Sequence, residues 1–205
     1  MKIKATPVPQ RQYQQKARAL AAEATGARIL DAFIKRIEEQ WFEDVTLDVV
    51  AQDAGVTVQT VVRRFGGKAG LLDAARAHME ASIQVRRDIV PGNIDHTVDV
   101  LVEDYEAVGH LVLRLLGQEE RHAVLKPVVD TGRRGHREWL AKIFAGTLDG
   151  LPSARRIATL DALVVATDIY VWKLVRLDMG RPVSAFKAMV KNLLHSVIKA
   201  AEGQD

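Results

Sequence analysis

Apolar residues recur along this chain at intervals of three and four, the spacing that gathers them on one face of a helix. Only residues 124–129 have a strand-like composition, and Lys126 and Pro127 interrupt them. Ile29, Leu30, Phe33, Ile34 and Ile37 mark a first helix over residues 25–40, with Thr25 as its N-cap. Thr46 is placed to cap a second helix, 47–54, which Gly55 ends, and Thr57 to cap a third, 58–65. Gly66 and Gly67 break the chain, and a fourth helix runs over 68–88.

Pro91, Gly92 and Asn93 make the next break, after which Asp95 is positioned to cap a helix over 96–116. Its buried stripe is Val98, Leu101, Val102, Tyr105, Val108, Val112 and Leu115. The second half is apolar nearly all round, which suits a helix through the middle of a domain. Shorter helices are predicted at 119–126 and 130–145, then a long one at 153–177 that Gly180 terminates. Pro182 stands at a first-turn position for the last helix, to residue 201. The pattern as a whole predicts an all-α fold of about nine helices.

A chain of 205 residues, 48% apolar, buries enough surface for one or two small domains. It has no cysteine, hence no disulfide and no thiolate metal site, which fits a reducing cytoplasm. Residues 1–15 lack the apolar core of a signal peptide, and no window reaches the ~18 apolar residues of a membrane span. The net charge of +3 is unevenly spread: residues 1–90 hold 14 Lys and Arg against 11 Asp and Glu, whereas 91–205 hold 15 of each. Residues 1–28 carry Lys2, Lys4, Arg11, Lys16, Arg18 and Arg28 against Glu23 alone. Residues 1–24 therefore read as a basic, flexible arm, either a solvated tail or a nucleic-acid contact, in which residues 14–23 could extend the next helix.

The informative segment is TLDVVAQDAGVTVQTVVRRFGGK, residues 46–68. It reads as helix, tight turn, helix, with the small Ala51 where the two must touch and Val49, Val50, Val56 and Val61 as their shared core. The outer face of the second helix carries Gln59, Thr60, Arg63 and Arg64, the arrangement of a recognition helix offered to a major groove. Catalytic patterns are missing. His110, His122 and His136 are too scattered for a metal cluster, and there is no HExxH, P-loop, GxGxxG or GxSxG. Glu103, Asp104 and Glu106 read as a solvated helix face, so no catalytic residue, metal or cofactor is expected. Asp161 and Asp168, seven apart on one side of an apolar helix, read as an interface pair or as a polar anchor in a pocket.

In these residues the chain resembles the tetracycline-repressor family of transcriptional regulators. Ile29 to Phe33, ILDAF, is similar to the family's opening helix. Residues 46–72, with the AGVT of 54–57, Thr60, Phe65, Lys68 and Leu71, follow its helix-turn-helix in register. The likeness is specific over residues 25–72. Beyond that, only length and helical layout match, including a final helix pair around VWKLVRLDMGRP. The family's usual Gly-Thr-Leu-Tyr stands here as Gln59, Thr60, Val61 and Val62, its frequent His as Arg64, and its small residue after the first helix as Trp41.

The resemblance implies three parts: the arm at 1–24, a DNA-binding domain at 25–70, and an effector and dimerisation domain at 71–205. DNA contacts fall to Thr46, Thr57, Val58, Gln59, Thr60, Arg63, Arg64 and Lys68. Gln59 and Arg63 are placed for base edges, since Gln pairs with adenine and Arg with guanine through two hydrogen bonds each. Lys68, at a helix start, is placed for the DNA backbone, and the basic residues of the arm for the adjacent minor groove or phosphates. A ligand would sit between helices lined by Tyr105, His110, Trp139 and Trp172. The last two helices would pair with their copies through Val164, Asp168, Val171, Phe186, Val190, Leu193, Leu194 and Val197. The implied protein is a homodimeric cytoplasmic repressor on palindromic double-stranded DNA, released by an unknown small molecule. Two other readings stay open: a DNA-binding protein of the same fold without small-molecule control, and a helical enzyme or carrier whose helix-turn-helix is idle.

Overall fold

The structure, a computed structural model, describes residues 10–203. The helices are α1 (Gln10–Glu39), α2 (Leu47–Asp53), α3 (Val58–Phe65), α4 (Lys68–Arg86), α5 (Ile94–Leu116), α6 (Lys126–Ile143), α7 (Ala145–Leu148), α8 (Ser153–Ala166), α9 (Ile169–Trp172) and α10 (Val183–Glu202). Short 3-10 turns precede α2 and α6, and a π-type turn, Lys173–Asp178, continues α9. The described residues contain no strand, so the all-α expectation holds. They form two compact units that divide between Ala75 and Arg76, within α4.

In the first unit α1 begins fifteen residues before the predicted start. Residues 14–25 are rich in Ala, Gln and Lys, good helix formers with no apolar stripe to announce them. Thr25 is therefore no cap: its hydroxyl donates back to the carbonyl of Ala21 at 2.8 Å, the habit of a threonine inside a helix. The part of the expected flexible arm from residue 10 on is thus helical, and Lys2 and Lys4 lie outside the described residues. Ile29, Phe33 and Ile37 close over Val50, Ala51, Ala54, Val61, Leu71 and Leu72, all buried. Arg36 clamps Asp53 with two hydrogen bonds, at 2.5 and 2.9 Å, and ties α1 to the end of α2.

The second unit is built around α5, as its all-round apolar half predicts. Leu101, Val102 and Tyr105 pack with Leu140 and Ile143 of α6, Leu163 of α8, Trp172 of α9, and Phe186, Val190 and Leu194 of α10. Four boundaries differ from expectation. Asn93 caps α5, accepting from the His96 amide at 2.9 Å, while Asp95 lies in the first turn and pairs with Lys191 at 2.7 Å. The helix predicted at 119–126 is a turn followed by a 3-10 turn, Ala123–Leu125. Next, α6 starts at Lys126, because Pro127 in a first turn forfeits no hydrogen bond. Finally, the helix predicted at 153–177 stops at Ala166. Thr167 bonds back to the Leu163 carbonyl at 2.8 Å, and Asp168 turns extended to cap α9 through the Tyr170 amide, also at 2.8 Å.

The α3–α4 junction sets a strict steric requirement. Gly70 lies against the backbone of Phe65, and a Cβ there would overlap the Phe65 carbonyl oxygen. Gly70→Ala should therefore destabilise the first unit by about 1–3 kcal/mol, the usual range for overpacking. Gly146→Ala, with open space around it, serves as the control. Urea unfolding followed by circular dichroism reads both, and equal midpoints would remove the requirement.

Candidate nucleic-acid interface and ligand cavity

The turn between α2 and α3 is closed by backbone geometry. Gly55, at φ +64°, donates to the Gln52 carbonyl at 3.1 Å, and Val56 donates to the Ala51 carbonyl at 2.9 Å. This paired closure needs a left-handed residue, which glycine supplies without steric cost. Thr46 and Thr57 cap the two helices, their hydroxyls accepting from the amides of Val49 and Thr60 at 3.3 Å each. Arg28 of α1 adds a bond to the Ala54 carbonyl at 3.4 Å, a cation at the C-terminal end of α2.

With α3 so held, Val61 is buried and Val58 is half-buried, while Gln59, Val62 and Arg63 face solvent. Gln59 and Arg63, one helical turn apart, share that open face. Thr57 and Thr60 join their hydroxyls at 3.0 Å beside it. Arg64 turns sideways: its guanidinium lies 5.8 Å from the Phe65 ring and so close to Gly26 of α1 that a Cβ there would strike it. Lys68, expected at a DNA phosphate, is used inside the unit. Its ammonium donates to the Phe42 carbonyl and, at 3.3 Å, to that of Glu43, and it sits 4.3 Å above the Phe42 ring. Burial holds its pKa below the ordinary lysine value. Phe42, which the sequence reading passed over, thereby fixes the approach to α2.

The second unit contains a cavity of about 870 Å³. Tyr105 and Trp139 line it, as expected of ligand-facing residues, but His110 and Trp172 are not part of its wall. Trp172 is wedged into the core, its ring 2.8 Å from where a Cβ on Gly109 would stand, and its indole N–H donates to Glu106 at 2.8 Å. His110 meets the Trp172 ring edge-on, with centroids 5.5 Å apart.

A buried polar chain that the sequence reading missed runs along the cavity wall. Asp104, taken for a solvated residue, is 1% exposed and accepts from Arg86 at 2.5 Å and Arg87 at 2.6 Å. The Arg87 guanidinium lies 4.6 Å from the centre of the Trp139 ring, whose N–H donates to the Arg87 carbonyl at 3.1 Å. A further Arg87 N–H points at His136 Nδ1, 3.4 Å away. An arginine only donates, so Nδ1 is the acceptor. His136 Nε2–H then donates to the Thr167 hydroxyl at 3.0 Å, and Tyr105 donates to the Thr167 carbonyl at 2.8 Å. Burial, with the charge of Arg87 beside it, pushes the His136 imidazole down to about 3. Burial likewise raises the Tyr105 phenol above its ordinary value. A signal for Asp104 was present: it falls three residues after Leu101, on the buried stripe itself.

The residues expected at a dimer interface divide. Phe186, Val190 and Leu194 are fully buried in their own protomer and belong to its core, which corrects their assignment. Val164 and Asp168 line the cavity, and Val171 and Val197 pack against the core, leaving Leu193 well exposed. Asp161 pairs with Arg137 at 2.5 Å.

The low pKa of His136 sets a pH dependence. The unfolded chain takes up a proton near pH 6.5, the ordinary imidazole value, and the folded site does so only near 3. The group's effect on stability is therefore neutral above pH 6.5 and increasingly unfavourable as pH falls from there toward 3, by up to about 1.4 kcal/mol per unit. Urea unfolding at pH 7, 5.5 and 4.5 should show the wild type losing more stability on acidification than His136→Asn. Parallel losses in the two proteins would mean that the imidazole titrates normally in the fold.

A sequence model of the bacterial regulatory proteins of the tetR family matches residues 29–75. The chain is 37% identical over 91 residues to the HTH-type transcriptional regulator SrpR of Pseudomonas putida, a match spanning 44% of this chain and 38% of that protein. It is 37% identical over 95 residues to the uncharacterized HTH-type transcriptional regulator TtgW, also of Pseudomonas putida, spanning 45% and 64%. The matches thus cover less than two thirds of either relative. Among solved structures, a tetR-family transcriptional regulator from Streptomyces coelicolor superposes with a TM-score of 0.66 at 17% identity, over 87% of this chain and 83% of that one. A transcriptional regulator from Rhodococcus sp. Rha1 does so with 0.67 at 14% identity, over 87% and 98%. The structural likeness shows the fold of both units, and the match to the tetR family of bacterial regulatory proteins is confined to the helix-turn-helix segment, residues 29–75.

Proposed function

We propose that this chain is a dimeric, sequence-specific DNA-binding regulator, a repressor that a small molecule releases. The observation that carries the reading is the open face of α3, where Gln59 and Arg63 stand exposed on a helix whose two ends are fixed by the Thr57 cap and the α3–α4 junction. A side chain held on a rigid helix reads base edges at little cost in conformational entropy. Thr46, Thr57 and Thr60 border that face and supply hydroxyls for phosphates. Arg64 adds charge at its side, and Lys68 serves the turn before α2 instead. No described helix is long and apolar enough to cross a membrane. The cytoplasm, where DNA is available, is the proposed place of action, without catalysis.

A second copy of the chain is the proposed partner of an apolar face on α8, the π-type turn and α10. Ile157, Val165, Leu174, Leu177, Met189 and Leu193 are all exposed there. Large apolar side chains gathered on one side of a monomer mark an interaction surface, and two-fold pairing presents two recognition helices ~34–36 Å apart on a palindrome. The cavity of the second unit is the proposed effector site. A ligand shifts DNA affinity only by as much as it prefers one conformation over the other.

Selection from random duplex DNA by the purified protein should enrich a palindrome. On that site Arg63→Ala should cost about 1–3 kcal/mol, the worth of one bidentate base contact, and relax specificity at one position. Absence of any enriched motif at moderate salt would reduce the resemblance to one of fold. A Val165→Glu, Leu193→Glu double variant should sediment as a folded monomer and lose tight binding to the full palindrome. A stable dimer in that variant would place the interface elsewhere.

A further inference from the structure

The cavity of the second unit is lined by five basic and five acidic side chains, and its cations are already engaged. Arg76 pairs with Glu80 at 2.8 Å, Arg87 with Asp104 at 2.6 Å, and Arg133 with Glu119 at 2.5 Å. Lys142 faces Asp88 at 3.9 Å, and Arg134 donates to the Thr131 hydroxyl at 3.2 Å. Asp168 caps α9, and Glu138 is exposed at the surface. The buried polar groups are satisfied as well: both His136 nitrogens have partners, and the Tyr105 hydroxyl is bonded to the Thr167 carbonyl. What remains of the wall is apolar, chiefly Met79, Ile83, Val108, Val112, Leu115 and Val129.

We infer that this cavity takes an uncharged, largely apolar molecule and discriminates against organic anions and cations alike. The inference rests on the reading of the cavity as an effector site. Its volume of about 870 Å³ lies within the range that encloses a small organic ligand. Arg134, bonded only to the Thr131 hydroxyl, is exposed to water; at the buried Arg87 an anion loses its hydration and gains the cation only by breaking the pair with Asp104. A cation meets the same obstacle at Asp104, whose two oxygens are taken by Arg86 and Arg87. Trp139, the aromatic surface that would otherwise attract a cation, already carries the Arg87 guanidinium. A neutral apolar molecule breaks none of these contacts and exchanges water for the aliphatic wall.

The test uses the full chain and three probes. N-phenyl-1-naphthylamine is uncharged, 1-anilinonaphthalene-8-sulfonate is the same ring system with a negative charge, and tetraphenylphosphonium is a bulky apolar cation. Fluorescence titration should show saturable binding of the uncharged probe at least about tenfold tighter than the sulfonate, and its displacement by the phosphonium only at correspondingly higher concentration. Val112→Trp and, separately, Val128→Trp fill the cavity from α5 and from α6. Each should weaken the uncharged probe by about tenfold or more while the helical circular dichroism persists, and two sites guard against misfolding of one. Equal or tighter binding of either charged probe, lost in the filled variants, would overturn the charge selection and leave the cavity a ligand site. If none of the three binds in a way that filling abolishes, the effector-site reading fails and the inference falls with it.

Discussion

The second unit is organised by one buried charge. Asp104 lies on the inward stripe of α5 with 1% of its surface exposed, a placement that costs several kcal/mol unless cations follow it in. Arg86 and Arg87, where α4 ends, supply them. Once Arg87 is committed there, much else follows. Its guanidinium covers Trp139, its carbonyl takes the indole N–H, and another of its N–H groups fixes the His136 tautomer. The neutral imidazole then meets Thr167, whose own bond to Leu163 marks the break between α8 and α9. Removing Asp104 alone would leave the largely buried Arg87 guanidinium without its carboxylate, a loss that destabilises more than the pair itself contributes.

The first unit solves a different problem with weaker tools. A helix of eight residues does not stand alone in water, so α3 depends on its ends: Thr57 at one, Gly66 at the other, and Val61 pressed into the core between them. The Arg36 clamp on Asp53 fixes α2 to α1, and the glycine closure fixes α3 to α2. Rigidity on the inner face leaves the outer face free of structural duty. Gln59 and Arg63 accordingly stay exposed, outside the core.

Sequence periodicity carried the architecture well where a helix had a clear apolar stripe and a good cap, as in α2 and α3. It failed where a residue had two local uses. Thr25 and Asp95 had the chemistry of caps and were used otherwise, and Pro127 looked like a break but opened α6. The helix-turn-helix was legible because its signals are local: a cap, a small residue and a left-handed glycine within a dozen positions. The cavity was only half legible. Tyr105 and Trp139 stood out as scarce aromatics, whereas Arg87, Asp104, His136 and Thr167 meet from four separate stretches of chain, and no spacing rule joins them.

The same limit explains the interface residues. The last helix is apolar on two adjacent faces, one running through Phe186, Val190 and Leu194 and the other through Met189 and Leu193. Both stripes have the four-residue step of a buried helix face, so periodicity marks each as buried without saying by what. The first closes onto α5 and α8 and is complete within one protomer. The second stays in water when the protomer folds alone, as do Val165 and Ile157 of α8. The proposed isologous interface would resolve this, because one two-fold axis would cover α8 and α10 of both copies at once and bury the same patch twice. The residues proposed for pairing are therefore the ones the protomer's own core leaves over, and they can be named only after that core has been assigned.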